Sequence, residues 1–478
     1  MSARIRRCRR QDGGLVQPAA RMRADSHSCP PLPCDRRQGG ELNREHTHAV
    51  VLRVRGNAVF LPLVTSFVEL SAGAFGLGKK EALGLTLAAE EIFTHLCGVM
   101  GAKGGEVRVR CRTHGHYVRA DFSFPAVDFD VRAFNLTAKV SPADDRCEDE
   151  MGLVLASRAV DRLNVTHARE RGLRLTLIKE KAYPKTEADI PLSSRPLQQF
   201  SIRPPERDEL KVLALLTGKY YRREGLPGFF DYPGKLVDMV GGGEYHALAA
   251  LGPAGEIGGG ILWCWAGSKT VEFYGPYVFE QEPNTRMRNA LLDAAISTIA
   301  RTPAVGLLNR CPPPDFPQEY FEPLGGIPLL SEDGTVLEQR AWFRLMHEDP
   351  GAVAWVHPEL EEFVRGEFKR LVLPREVRMV RDEGETANAH SLLSADFDRP
   401  QKTVTLKPVW PGRDAGENVA GHVALLRCEG LRDVFFALDL GQSWQAVFTP
   451  HVLARGFVPR LLLPYAAEGD MVVFQLQV

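Results

Sequence analysis

Glu91 and His95 sit four residues apart in the run Leu85-Thr-Leu-Ala-Ala-Glu-Glu-Ile-Phe-Thr-His95. On a helix that spacing puts a carboxylate and an imidazole on one face, where both can point at a single ligand. A second group, Cys111, His114 and His116, falls within six residues. These are zinc-ligating types, but no fourth ligand is visible, and they surround Gly115 at a predicted hairpin turn where polar residues are ordinary, so the turn is the favoured reading. Farther on, Arg286 and Arg288 open a predicted helix, and guanidinium groups there can meet phosphate oxygens through charge-assisted bonds. Glu244 and Tyr277 are acid/base types nominated by location alone.

The elements that must position these groups begin near His48. Val50–Arg55 reads as a strand and Leu61–Ala74 as a helix. Leu83, Leu87, Ile92 and Leu96 give Lys79–Met100 a helical apolar pattern. Val107–Cys111 and Tyr117–Phe122 form a hairpin, a polar stretch covers Asp128–Glu150, and a helix over Gly152–Leu163 precedes a second hairpin, Asn164–His167 with Leu173–Lys179, around Gly172.

In this order and in its local motifs, the segment from about 48 to 181 resembles the histidine-kinase/Hsp90-type ATPase fold, and within it the small anti-sigma factor Ser/Thr kinases. The residues that carry the resemblance are Glu91, Asp121, Gly152-Leu153, Asp161 and Gly172. It implies an α/β sandwich that binds ATP with Mg²⁺. By the same resemblance Asp121 accepts a hydrogen bond from adenine, Glu91 orients or deprotonates the attacking group, and Gly152 with Leu153 opens a helix onto the phosphates. His95 stands where the family has a metal-binding Asn, a ligand better suited to Zn, Ni or Cu than to Mg²⁺. Ser123 and Glu150 stand where the family has glycines. The implied partner is a protein such as a sigma factor or its anti-sigma antagonist.

Residues 182–197 are rich in Pro and polar residues and read as a linker. Beyond it come the strand Phe200–Arg203, the helix Arg207–Arg222, the strands Tyr245–Leu251, Glu256–Trp265 and Thr270–Phe279, the helix Met287–Arg301 and the apolar strand Ala304–Leu308. This succession, with Gly258-Gly-Gly-Ile261 and Tyr274-Gly-Pro-Tyr-Val-Phe279 as central strands, resembles the GNAT acyltransferase fold. The resemblance implies that the last of these strands splays from its neighbour, that its backbone binds pantetheine, and that the next turn holds the pyrophosphate of acetyl-CoA. That turn lacks glycine here and offers Arg286 and Arg288 instead. Residues 347–478 resemble the second half of such a unit, with Val434–Leu438 as its buried strand and Gly456-Phe457 after its last helix.

Composition adds bounds. A chain of 478 residues suggests about two to four domains. A formal charge of -1 gives no electrostatic argument for nucleic acid or an acidic membrane. Nine Cys without paired CxxC spacing fit reduced thiols in a cytoplasm, and no apolar run is read as a membrane span. Residues 1–45 are Arg-rich without apolar periodicity and read as a disordered basic leader. The expectation is an α/β multidomain protein: the leader, an ATPase-type unit over 46–181, the linker, a GNAT-like unit over 198–346 and a partial one over 347–478. Two functions follow, with a homodimer left open. One is an ATP-binding signalling regulator whose C-terminal part senses acyl-CoA; the other is a GNAT-type N-acyltransferase regulated by its N-terminal unit.

Overall fold

Apolar residues alternate along the strands of the first unit, so one face of its sheet must be covered by helices. The computed structural model describes residues 6–7, 49–100, 105–125, 131–137, 152, 155–168, 172–185, 194–221, 226–281, 285–330, 335–381, 388–398, 402–429 and 431–477. Strands β1 (Arg6–Arg7), β2 (Ala49–Arg55), β3 (Glu106–Thr113), β4 (Tyr117–Pro125), β5 (Arg162–Ala168) and β6 (Gly172–Glu180) form a sheet in the order β1-β2-β3-β4-β6-β5. Helices α1 (Leu61–Ala74) and α2 (Lys79–Met100) cover one face. Val109 and Cys111, Ala120 and Phe122, and Leu175 and Leu177 share a core with Leu85, Ala89, Ile92 and Phe93 of α2.

Two expectations are corrected here. The 22-residue α2 is long and apolar enough to cross a membrane by length and composition alone, although in the structure Leu85, Ala88, Ala89, Ile92, Phe93 and Leu96 are buried in this core, while Leu83 and Leu87 of the expected apolar pattern are exposed. In the leader, Arg6 and Arg7 pair with Val51 and Val50 as an edge strand; its other residues lie outside the described ones.

The middle unit has strands β7 (Ser201–Arg203), β8 (Tyr245–Leu251), β9 (Ile257–Trp265), β10 (Thr270–Val278), β11 (Gly306–Asn309), β12 (Glu322–Leu330) and β13 (Val336–Leu345), in the order β7-β8-β9-β10-β11-β13-β12. Helices α3 (Arg207–Tyr220) and α4 (Pro233–Gly241) lie on one face and α5 (Thr285–Ile299) on the other. Helix α3 starts where the Glu209 carboxylate accepts the Glu206 N–H at 2.7 Å, half of a capping box. The glycines of β9 permit the close packing: a Cβ at Gly258 would overlap Met287 of α5, and one at Gly260 would overlap Leu213 of α3. Only β10 and β11 pair in parallel, across α5, and their pairing stops at Glu272 and Leu308.

The C-terminal unit opens with a parallel pair, β14 (Ala352–Val356) and β15 (Arg375–Met379), joined through α6 (Glu361–Arg370). Strands β16 (Leu392–Asp398), β17 (Thr403–Trp410), β18 (Asp433–Asp439), β19 (Phe457–Leu463) and β20 (Met471–Leu476) follow in the order β16-β17-β18-β20-β19. The parallel pair β17 and β18 is joined through α7 (Ala415–Cys428). This repeats the order and directions of β9-β10-β11-β13-β12.

The units are not beads on a string. Leu308 and Phe343 of the middle sheet share a core with Phe435, Leu461 and Val473 of the C-terminal sheet, while Leu392 and Trp410 enter the core of the first unit. The described ends of the expected linker are docked as well: Tyr183 donates to Asp238 at 2.7 Å, and Ser194 donates to the Ile257 carbonyl at 3.0 Å.

Candidate functional site

Of the residues expected to hold a nucleotide, Glu91 and Gly152 come together and Asp121 does not join them. Glu91 and Gly152 meet so closely that a Cβ on the glycine would overlap the Glu91 carboxylate. That carboxylate occupies the place where a phosphate was expected; burial, then the neighbouring Glu90, raises its pKa. Asp121 lies elsewhere. Ala120 and Phe122 face α2, so strand alternation turns Asp121 to the opposite side of the sheet. There it accepts from Arg119 Nε and from Thr176 Oγ1, both at 2.7 Å, with Arg112 at 3.4 Å. The single cavity expected to be lined by Glu91, Asp121 and Gly152 is therefore not formed. His95 lies on α2 one turn from Glu91, and Leu153 falls outside the described residues. Among the described residues no cluster of three or more His, Cys, Asp or Glu side chains could hold a metal ion.

Cys111, His114 and His116 divide as the turn reading expects. The Cys111 thiol is fully buried, and burial pushes it up to about 12. The histidines instead dock the turn on the middle unit, where His114 Nδ1 lies 3.2 Å and His116 Nδ1 4.0 Å from the Glu244 carboxylate. Tyr117 donates to the same carboxylate at 2.7 Å. Glu244, nominated as an acid/base group, is thus the anchor of a seam between units. Burial lowers the pKa of His116 to about 4 against the pull of Glu244 and Glu180, so the imidazole is neutral.

In the middle unit β10 does diverge from β11, with a register break between Tyr274 and Tyr277. Three backbone groups along this splay are engaged by side chains. Tyr221 Oη accepts from Val278 N and donates to Val278 O, both at 3.0 Å. Asn309 Nδ2 donates to the Gly275 carbonyl at 3.1 Å. Arg288 donates to the Asp315 carbonyl at 2.7 Å, and the Arg286 guanidinium lies over the Phe200 ring at 5.5 Å. In this conformation Tyr221 and Asn309 hold Val278 and Gly275, backbone groups of the strand expected to meet pantetheine. One group stands out: the Tyr277 hydroxyl is buried in this region without a hydrogen-bond partner among the described residues.

A further concavity was not foreseen. A cavity of about 2160 Å³ lies between the three sheets. The first unit contributes Arg119, Arg162, Thr176 and Glu180, the middle unit Lys235, Glu272, Arg310 and Cys311, and the C-terminal unit Asp396, Lys407, Trp410 and Trp444. Glu180 is bound by Arg162 and by Lys235, the latter at 2.6 Å. Burial opposes its charge, yet Arg162, Lys235 and His116 hold the carboxyl down at about 2. Arg310 clamps Glu272 at 2.7 and 2.8 Å, and Lys407 meets Asp396 at 2.6 Å. Sequence reasoning missed these residues because charges at the off-core positions of strands read as solvent-facing.

No family model and no curated protein matches the chain. Solved structures do show a likeness of fold over about 31% of it. Aminoglycoside 6'-acetyltransferase type Ii is 17% identical over 31% of this chain and 99% of its own, with a TM-score of 0.26. A GNAT-family acetyltransferase from Staphylococcus aureus Mu50 is 15% identical over 31% and 100%, with a TM-score of 0.24. A GNAT-superfamily phosphinothricin acetyltransferase from Sinorhizobium meliloti, solved with AcCoA, is 15% identical over 30% and 88%, with a TM-score of 0.24.

Proposed function

We propose that the chain is a regulatory small-molecule-binding protein that encloses its ligand in the central cavity. The observation that carries this reading is the polar face of the first sheet. Arg119, Arg162 and Glu180 are covered by two other units instead of being left in water, an arrangement that costs stability unless every charge is matched. Within this reading the first unit is an ATPase-type sandwich whose phosphate seat is closed by Glu91, and the middle unit is a GNAT-like scaffold. Native mass spectrometry of the full chain as purified tests it: a stoichiometric small molecule, released on unfolding, is expected. A chain that carries none, and that no fraction of a metabolite extract stabilises against heat, would overturn the reading.

A second reading, an acyl-CoA-binding N-acyltransferase, is supported by the divergence of β10 from β11 and by the unpartnered Tyr277 hydroxyl. It requires Tyr221 to leave Val278. Thermal-shift titration with ATP, ADP and acetyl-CoA, with and without Mg²⁺, separates the two, since a ligand at a hundredfold excess over Kd adds about 2.7 kcal/mol. The first reading expects no shift with ATP or ADP and little with acetyl-CoA.

A further inference from the structure

We infer that two copies of the chain pair through the outer face of α1 and α2, with a strip of exposed leucines at the contact. A helix that forms the outermost layer over a sheet ordinarily turns charged side chains to water. Here α1 carries one ionisable side chain, Glu69, and residues 82–89 of α2 carry none. Leu70 of α1 is 73% exposed and Leu83 of α2 68%, with Leu155 at 47% and Leu87 at 37%.

These four side chains are neighbours. Residues 75–78 join α1 and α2 as a helical hairpin, so Leu70, four residues before the end of α1, lies level with Leu83, four residues after the start of α2. Leu87 follows Leu83 by one turn on the same side. The helical residues 155–159 run against α2 in the opposite direction, because a Cβ on Gly84 would overlap the Ala159 carbonyl while Gly152 meets Glu91. That direction brings Leu155 beside Leu87.

Area, charge and position select a second copy as the occupant. Four leucines exposed to this degree present roughly 400 Å² of apolar surface, the scale at which a patch marks an association site. With the half-buried Leu63 and Phe67 of α1 the strip approaches the apolar share, somewhat over half, of the ~800 Å² that each partner of a standard dimer buries. The flanking Glu69 and Lys79 are exposed and opposite in sign. A two-fold arrangement that lays α1 of one copy on α2 of the other sets Leu70 on Leu83 and brings Glu69 within reach of Lys79, twice over. A rim of a single sign would repel its own copy instead. The strip also lies on the face of the first sheet opposite to the wall that the middle and C-terminal units cover.

Sedimentation equilibrium of the full chain tests the inference. A particle of twice 53.0 kDa is expected. Leu83→Glu places a charge at the centre of the contact in each copy and should raise the dissociation constant of the dimer roughly a hundredfold. Its circular dichroism should not change, because position 83 faces water in the single copy. Glu69→Lys should weaken the dimer roughly tenfold, and adding Lys79→Glu to it should restore the affinity. A wild-type chain that stays monomeric up to about 100 μM overturns the inference, whether or not it binds lipid vesicles or another protein. A dimer of unchanged affinity in Leu83→Glu overturns it as well, since the contact then lies elsewhere. If Leu83→Glu does not fold, the charge exchange decides: a double variant no tighter than Glu69→Lys sinks the proposed arrangement.

Discussion

Replacing Tyr221 by Phe removes one hydroxyl and leaves the ring against Tyr277 and Phe279, at centroid distances of 5.0 and 6.3 Å. Burial pushes the hydroxyl up to about 12, so at neutral pH it keeps its proton and can donate to Val278 O while accepting from Val278 N. Each bond is worth about 1 kcal/mol net, and two backbone groups would lose their partner, so the ligand-free variant should be less stable by about 1–3 kcal/mol. The same figure is the penalty that any ligand pairing with Val278 must overcome to displace Tyr221. Its removal should therefore tighten acetyl-CoA binding by roughly 5- to 150-fold. Thermal unfolding of wild type and variant, with and without acetyl-CoA, reads both quantities. A lower Tm without ligand and a larger acetyl-CoA shift are expected. A wild-type Tm would show that the two bonds contribute nothing, and a lower Tm with no gain in the acetyl-CoA shift would show that the splay is no cofactor seat.

Other perturbations probe the seams. His116 takes up a proton near 6.5 when unfolded and only near 4 when folded; it therefore contributes stability that is present above about pH 6.5 and lost as pH falls through that interval, up to roughly 3 kcal/mol. Burial raises Asp439 to about 6, which acts in the opposite sense over part of the window, so the comparison is between wild type and His116→Gln: urea midpoints at about pH 7.5 and about pH 4.5 should differ less in the variant, and equal differences would refute the assignment. Asn135 joins the first and third units, donating to Ser391 O at 2.8 Å and accepting from Leu393 N at 3.0 Å and Asn418 Nδ2 at 3.1 Å; Asn135→Ala should cost about 2–3 kcal/mol and speed hydrogen exchange at the Leu393 amide, whose unchanged protection would contradict the role. Gly115 has φ +81°, and a Cβ there would overlap the Asp238 carbonyl oxygen, so Gly115→Ala should cost about 2–4 kcal/mol in thermal unfolding, and a neutral result would mean that the hairpin turn does not dock on α4.

Periodicity made the elements legible. The helix α2, the hairpin β3–β4 and the glycine-bearing β9 lie close to where apolar spacing and turn residues put them. Asp121 shows where motif matching and local pattern part company. Read as the acidic end of a strand it belongs to a nucleotide site, but Val118, Ala120, Phe122 and Phe124 alternate with it, and this period of two already places it on the face opposite α2. That signal was present and outweighed by the motif. The wall charges were not legible on the same terms. Nothing local distinguishes a charged strand face bathed in water from one roofed by another unit, and the contacts that decide it are remote in sequence: Tyr117 with Glu244 is 127 residues apart and Lys235 with Glu180 is 55.

The distribution of satisfied and unsatisfied polar groups separates the sites physically. A buried donor or acceptor without a partner costs about 1–3 kcal/mol, so a chain that no longer binds a ligand gains by filling the vacated position with one of its own side chains. The Tyr221 hydroxyl satisfies both Val278 N–H and Val278 C=O, and the Glu91 carboxylate packs against Gly152. Arg162 differs: with the carboxylates of Glu180 and Asp396 near it, its buried Nη1 has no hydrogen-bond partner among the described residues, so that group bears the desolvation cost.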